Sequence, residues 1–157
     1  MLTGFQAFLT FLFFLSISFL FLSVKVVPQS KVYVIERFGK YTKTLESGLS
    51  IIIPFLDRVA HKVDILERQL PKFQISVITK DNVEVGLVST VFFRILDASK
   101  SVYRIKNIDS AIENTAISVI RSAAGKLELD DLQSSRESMN LEIKERLGKA
   151  AEIWGVE

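Results

Sequence analysis

The sequence lacks cysteine altogether, contains one histidine, His61, and has no acidic or basic side chain before Lys25. Without cysteine the chain forms no disulfide, thiolate nucleophile or palmitoylation site. A zinc site of the usual kind needs about three His, Cys or carboxylate ligands, and a serine triad needs a histidine base. A lone histidine therefore argues against both, and we predict that His61 lies in the core or half-buried on a strand face with Val59, Val63 and Ile65.

Glycine is also sparse, and its seven residues form none of the G-x-S-x-G, G-x-G-x-x-G or G-x-x-x-x-G-K patterns. The adjacent carboxylates Asp130 and Asp131 are better interpreted as the turn before a helix, whose positive end they favour, than as a catalytic pair. We therefore expect no enzymatic activity, no metal and no cofactor. A net charge of +2 without a basic run argues against a nucleic-acid partner.

Apolar side chains dominate the uncharged beginning of the chain, which contains seven of the twelve Phe residues. A helix that crosses about 30 Å of hydrocarbon needs roughly 20 apolar residues. Residues 5–24 supply that length, and their apolar side chains surround the helix instead of forming one stripe. We predict a transmembrane helix over residues 2–24.

A cleaved signal peptide is the competing interpretation of this segment. It would have a positive amino-terminal region, a shorter apolar run and a small-x-small cleavage site, none of which is present. Basic residues follow the span closely, at Lys25, Lys31, Arg37, Lys40 and Lys43. The positive-inside rule therefore predicts that the rest of the chain lies in the cytoplasm.

Short alternating runs after the span predict strands over residues 31–38, 51–53, 59–66, 73–77 and 83–95. Lys80-Asp81-Asn82 predicts a hairpin turn, because Asp and Asn tolerate the left-handed backbone. The second face of the 83–95 strand is half apolar, so we expect a helix or a neighbouring subunit to cover it.

The apolar period then changes to that of a helix, over residues 108–123, with Asn107 as the N-cap and Gly125 as the stop. A second helix is predicted from Ser134, which would form a capping box with Glu137. Its inner face is predicted to consist of Met139, Ile143, Leu147, Ala150 and Trp154. Strands followed by helices predict an α+β domain.

Six consecutive apolar residues lie about 25 positions after the span. This segment either dips into the membrane interface as a shallow anchor or is a buried strand that runs into a loop. The residues are Ile51, Ile52, Ile53, Pro54, Phe55 and Leu56.

Several segments together resemble the stomatin/prohibitin/flotillin (SPFH, or band 7) family. They are Glu36-Arg37-Phe38-Gly39-Lys40-Tyr41, Gly48-Leu49, Pro54-Phe55-Leu56-Asp57-Arg58, Thr79-Lys80-Asp81-Asn82, Ile120-Arg121, Leu127-Glu128-Leu129-Asp130-Asp131 and Trp154-Gly155-Val156. The similarity covers essentially everything after Val26. The single amino-terminal span most resembles the bacterial paraslipin or QmcA-type branch.

The resemblance implies an α+β SPFH domain, an antiparallel sheet packed with helices, over residues 25–133. It also implies a scaffold that oligomerises into a ring or cage on the inner or plasma membrane of a bacterium. Such a scaffold organises a membrane microdomain and regulates membrane proteins. The expected partners are lipids, identical subunits and either an NfeD-type membrane protein or a membrane-bound AAA+ protease. The segment 51–56 corresponds to the region that relatives hold against the membrane.

Relatives continue past Trp-Gly-Val into a strand and a long coiled coil, and stomatin carries palmitoylated cysteines that are absent here. This chain stops at Glu157, so residues 134–157 are expected to lead towards a coiled coil that the sequence does not contain. For assembly, we predict subunit contacts at Glu36, Arg37 and Asp57. Two alternatives stay open: a tethered binding module that acts as a monomer or dimer, and a membrane-bound hydrolase.

Overall fold

The chain begins with a long apolar helix, α1 (Leu2–Ser23). The computed structural model describes residues 2–157, with side chains from Gly4 onward. Residues Gly4–Ser23 are long and apolar enough to cross a membrane. The hydroxyls of Thr10 and Ser16 donate hydrogen bonds to carbonyls three residues earlier, which offsets the cost of placing them in lipid. The predicted helix is confirmed, although Val24 already belongs to a strand.

Five strands follow α1 in a first compact unit, which extends to Asp64. An antiparallel pair joins β1 and β4, and a three-stranded antiparallel sheet has the order β3-β2-β5. The strands are β1 (Val24–Val27), β2 (Lys31–Arg37), β3 (Lys40–Leu45), β4 (Gly48–Ile51) and β5 (Asp57–Asp64).

Strand β2 does not alternate strictly between its two faces. Its adjacent residues Val34 and Ile35 are both fully buried. Both partner strands carry a bulge at this point: Ala60 is the extra residue of β5 and Thr42 the extra residue of β3. Such bulges bend the strands and increase their local twist. Ile35 then packs with Val27, Leu45 and Ile52 in the core of this unit.

A second compact unit comprises Ile65 to Glu157. Its strands form two antiparallel pairs, β6 with β9 and β7 with β8. Its elements are β6 (Arg68–Gln69), β7 (Phe73–Ile78), β8 (Glu84–Ser89), β9 (Phe92–Phe93), α2 (Ala98–Tyr103), α3 (Ile108–Ala124), α4 (Leu129–Ser134) and α5 (Arg136–Glu152).

The hairpin between β7 and β8 turns where the sequence predicted it. Asn82 has φ +64°, and the Thr79 amide donates to the Val83 carbonyl at 2.9 Å. The strand predicted over residues 83–95 is divided into β8 and β9. Its second face is exposed in this chain, with Val88 at 67% and Phe92 at 58%.

The buried face of β7 packs against α3 in the main core of the second unit. Ile75, Val77, Ala116 and Ile120 form its centre. Helix α3 begins as predicted, because the Asn107 side chain accepts a hydrogen bond from the Ser110 amide at 3.2 Å.

The predicted capping box of Ser134 and Glu137 is wrong. Ser134 is the last residue of α4, and its hydroxyl donates to the Asp131 carbonyl instead of accepting from an amide. Helix α5 begins after Ser135 without a side-chain cap. Of its predicted inner face, Met139, Ile143 and Leu147 pack on the main core. The prediction fails at the end of the helix: Ala151 is buried instead of Ala150, and Trp154 lies beyond the last residue, Glu152.

Candidate membrane-contacting surface

No linker separates the apolar helix from the first strand. Helix α1 ends at Ser23 and β1 begins at Val24. The Ser23 carbonyl accepts a hydrogen bond from the Ile52 amide at 2.8 Å, immediately after β4. The end of the helix is therefore attached both to the strand that follows it and to the chain beyond β4.

One face of the β1–β4 pair is wholly apolar and exposed. Val24 pairs with Ile51 and Val26 pairs with Leu49, and the four side chains are 40–73% exposed. Val27, the last residue of β1, points to the other side and is buried in the core. We call Val24, Val26, Leu49 and Ile51 the apolar ribbon face.

Sequence reasoning found only Ile51 of this face. The available signal was the alternation of Val24, Val26, Leu49 and Ile51 with Lys25 and Ser50. That alternation identifies a common exposed face only once β1 and β4, which are separated by 20 residues in the chain, are known to pair.

The predicted interface segment divides into exposed and buried positions. Ile51, Ile53, Phe55 and Leu56 are exposed, and Phe55 is 88% exposed. Ile52 lies in the core at 5%, and Pro54 is also buried. The two buried residues face the protein interior, so four of the six predicted residues are turned outward.

An ion pair holds the loop that carries Phe55. Arg37 Nε lies 2.8 Å from Asp57 Oδ1, and the carboxylate of Asp57 is only 1% exposed. The Ile53 amide donates to Asp57 Oδ2 at 2.9 Å, and the Asp57 amide donates back to the Ile53 carbonyl. These contacts close the loop from Ile53 to Asp57 on the end of β2.

The same contacts set the pKa values of the pair. The hydrogen bond from Arg37, and then that from the Ile53 amide, lower the pKa of Asp57. The hydrogen bond and the charge of Asp57 raise the pKa of Arg37. Asp57 is thus held ionised at neutral pH.

The three predicted subunit contacts lie at this end of the first sheet. Arg37 and Asp57 bind each other within the chain, and Glu36 is half-buried opposite Arg58 in the β2–β5 register. Asp57 faces inward and offers no surface to a neighbour. Subunit contact at Glu36 and Arg37 stays a prediction.

The structure also places the polar residues considered for chemistry. His61 is exposed on β5, so its expected core or half-buried position is wrong. Ala60, next to His61, is the extra residue of a bulge in β5, so the regular alternation from Val59 through His61 does not hold, and Val63 is the buried side chain of this strand. Asp130 and Asp131 lie in the first turn of α4, where carboxylates favour the positive end of a helix.

The chain is similar in sequence to one protein-family model and to several known proteins. Residues 25–157 match the model of the SPFH domain / Band 7 family. Stomatin-like protein 2, mitochondrial, of Homo sapiens is 35% identical over 133 residues, which cover 85% of this chain and 37% of that protein.

Two further relatives are uncharacterized. One, from Schizosaccharomyces pombe, is 36% identical over 85% of this chain and 38% of its own length. The other, from Methanothermobacter thermautotrophicus, is 38% identical over 86% of this chain and 42% of its own length. The chain thus spans about two fifths of these relatives.

Proposed function

The chain belongs to the SPFH domain / Band 7 family, and from this premise we propose that it is a single-pass membrane scaffold. Helix α1 spans the bilayer, and the strands that follow it rest on the adjoining surface. Identical copies assemble side by side into a ring or cage, which organises the enclosed membrane patch. The protein has no catalytic role of its own.

The direct connection of α1 to the apolar ribbon face carries this proposal. Since β1 starts at the residue after the helix, the ribbon cannot lie far from the membrane–water interface. Four apolar side chains on its exposed face, together with Ile53 and Phe55, would be costly to leave in water. Contact with the interfacial lipid region removes that cost.

The flanking charges support a cytoplasmic position for residues 25–157. Lys25, Lys31, Arg37, Lys40 and Lys43 follow the span, and no charged side chain precedes it. We place the protein in the inner or plasma membrane of a bacterium. Its partners there are lipids, identical subunits and either an NfeD-type membrane protein or a membrane-bound AAA+ protease.

Assembly follows from membrane confinement and repetition. A heterologous contact between identical subunits closes into a ring when its rotation closes. Anchoring every copy in one plane raises the effective concentration, so individually weak contacts suffice. Arg37 and Glu36, at the end of the first sheet, are our candidates for the polar part of that contact.

Electron microscopy of the protein extracted in mild detergent tests the proposal. We expect closed rings or cages with many subunits, and we expect the protein to resist extraction from membranes by alkaline carbonate. Monomers or dimers at every protein concentration would replace the scaffold with a tethered binding module. Release by carbonate would contradict the transmembrane anchor.

A further inference from the structure

Two phenylalanines are almost wholly exposed at one end of the first sheet. Phe38 is 83% exposed at the tip of the β2–β3 hairpin, and Phe55 is 88% exposed in the loop before β5. Both have positive φ, at +51° and +69°. A residue with a side chain adopts this conformation at a free-energy cost, and such strain is concentrated at functional sites.

The Arg37–Asp57 ion pair brings the two phenylalanines to the same place. Phe38 directly follows Arg37, Phe55 precedes Asp57 by two residues, and the two charged residues are also cross-strand partners. Both rings therefore project from the end of the sheet where β2 finishes and β5 begins.

This end of the sheet adjoins the end of α1. The Ile52 amide is bonded to Ser23 at the helix terminus, and the next amide, that of Ile53, is bonded to Asp57. Two consecutive residues thus connect the span with the ion pair that positions both rings. The surface carrying Phe38 continues the surface at which the span leaves the membrane.

Two lysines without a salt bridge to any described side chain lie on β3, the strand that follows Phe38. Lys40 is opposite Arg37 in the β2–β3 register, and Lys43 Nζ donates to the Ile51 carbonyl at 3.0 Å. Both are exposed, and among residues 4–157 neither has a carboxylate within salt-bridge distance. The carboxylate of Asp57 is buried and bonded to Arg37, and the charge of Lys43 contributes less than that of Arg37 to lowering its pKa.

We propose that Phe38 and Phe55 form a paired aromatic anchor in the membrane interface, and that Lys40 and Lys43 select bilayers with anionic headgroups. This inference rests on the proposed membrane function and adds Phe38, the two lysines and the class of lipid. Phenylalanine side chains are among the apolar groups that bury at the boundary between headgroups and acyl chains. Each lysine near an anionic surface adds about fivefold to the preference for it, an effect that salt screens.

The depth of each ring is measured with an indole in its place. The full-length protein is made with Trp154→Phe, which removes the natural indole, and then with Phe38→Trp, Phe55→Trp or Lys62→Trp. Lys62 is an exposed control on β5, towards the end of the first sheet away from the Arg37–Asp57 pair. In bilayers that contain brominated phosphatidylcholine and brominated phosphatidylglycerol, we expect strong quenching at positions 38 and 55 and weak quenching at 62.

The results separate this inference from the proposed function. Quenching at 55 but not at 38 overturns the paired anchor and leaves the scaffold with its interface loop. Quenching at neither position overturns both the anchor and the contact of this surface with lipid. Equal quenching at all three positions indicates non-specific contact and also overturns the anchor.

Lipid selection is tested by placing bromine on one lipid at a time in equimolar mixtures. With Phe38→Trp, we expect brominated phosphatidylglycerol to quench several times more than brominated phosphatidylcholine. Lys40→Gln with Lys43→Gln should bring this ratio close to one without changing the depth. The control Lys31→Gln with Lys62→Gln removes the same charge from the opposite end of the sheet and should leave the ratio high. The proposed lipid selection is overturned if the two brominated lipids quench equally before the lysines are changed. It is also overturned if both double lysine variants lower the quenching ratio by the same factor.

Discussion

Asp57 is the residue on which the position of the Phe55 loop depends. Its buried carboxylate accepts hydrogen bonds from Arg37 and from the Ile53 amide, and both lower its pKa. The folded pKa is below the unfolded value of about 3.9. The pair therefore stabilises fully above that value, and its contribution is lost as the pH falls through the folded pKa.

We predict that Asp57→Asn lowers the unfolding temperature at pH 7 and accelerates hydrogen exchange of the Ile53 amide. The difference in unfolding temperature from the original protein should shrink as the pH falls below about 3.9. Glu46→Gln, at an exposed position, serves as the control. A difference that stays constant down to acid pH would contradict an ionised Asp57 as the cause.

Gly155 occupies a position that excludes a side chain. It has φ +71°, and an added Cβ would lie 2.7 Å from both Cβ and the carbonyl oxygen of Asp97. The Leu96 and Asp97 amides donate to its carbonyl. The Trp-Gly-Val segment therefore depends on this close approach.

We expect Gly155→Ala to lower the free energy of unfolding by about 2–4 kcal/mol, from backbone strain and overlap with Asp97. Gly148→Ala is the matched control, since Gly148 lies inside α5 with open space around it. That change should stabilise the protein by about 0.5–1 kcal/mol. Denaturant unfolding in detergent measures the unfolding free energy of both variants. Equal changes at the two positions would contradict a special backbone requirement at Gly155.

At the level of elements, β7 separates the core from the surface by simple alternation. Ile75 is 2% exposed against α3, whereas Ile78, at the end of the same strand, is 61% exposed. Ile75→Ala should cost about 2–5 kcal/mol of unfolding free energy. Ile78→Ala should stay within about 0.5 kcal/mol of the original protein. Similar losses at both positions would show that another surface covers Ile78.

The elements that the sequence predicted correctly are those governed by local chemistry. Asn107 caps α3 with its own side chain, and Asn82 adopts the left-handed turn that its residue type favours. The alternation of Phe73, Ile75 and Val77 also reports directly on one buried face.

The features that the sequence did not predict depend on contacts between residues distant in the chain, or on two adjacent segments that could each form a helix. The burial of both Val34 and Ile35 occurs where the two partner strands carry bulges at Thr42 and Ala60, and the alternation of β2 alone does not predict it. The Ser134 capping pattern was misleading because the preceding residues already form α4. The exposure of Phe38 was missed because nothing local distinguishes an outward ring from a core ring.

For the whole molecule, the junction between Ser23 and Val24 is the critical connection. Inserting five flexible Gly/Ser residues there would leave the α1 anchor intact. The apolar ribbon face would then no longer be held at a fixed distance from the membrane surface. We predict that quenching of the Phe55→Trp indole by brominated lipid falls sharply, while resistance to carbonate extraction is retained.

The control inserts the same five residues after Lys106, in an exposed stretch of the second unit. It should leave the quenching at position 55 unchanged. Undiminished quenching after insertion at the junction would show that the loop binds lipid independently of the span.

On the proposed membrane function, the direct junction of α1 and β1 also makes hydrocarbon thickness relevant to the strands. A span of 20 residues is about 30 Å long, so it tilts in a thinner bilayer to avoid mismatch. Since β1 starts where the helix ends and Ile52 is bonded to the helix terminus, the apolar ribbon face tilts with it. Membranes of different thickness would then present neighbouring copies to one another at different angles, which links the geometry of assembly to lipid chain length.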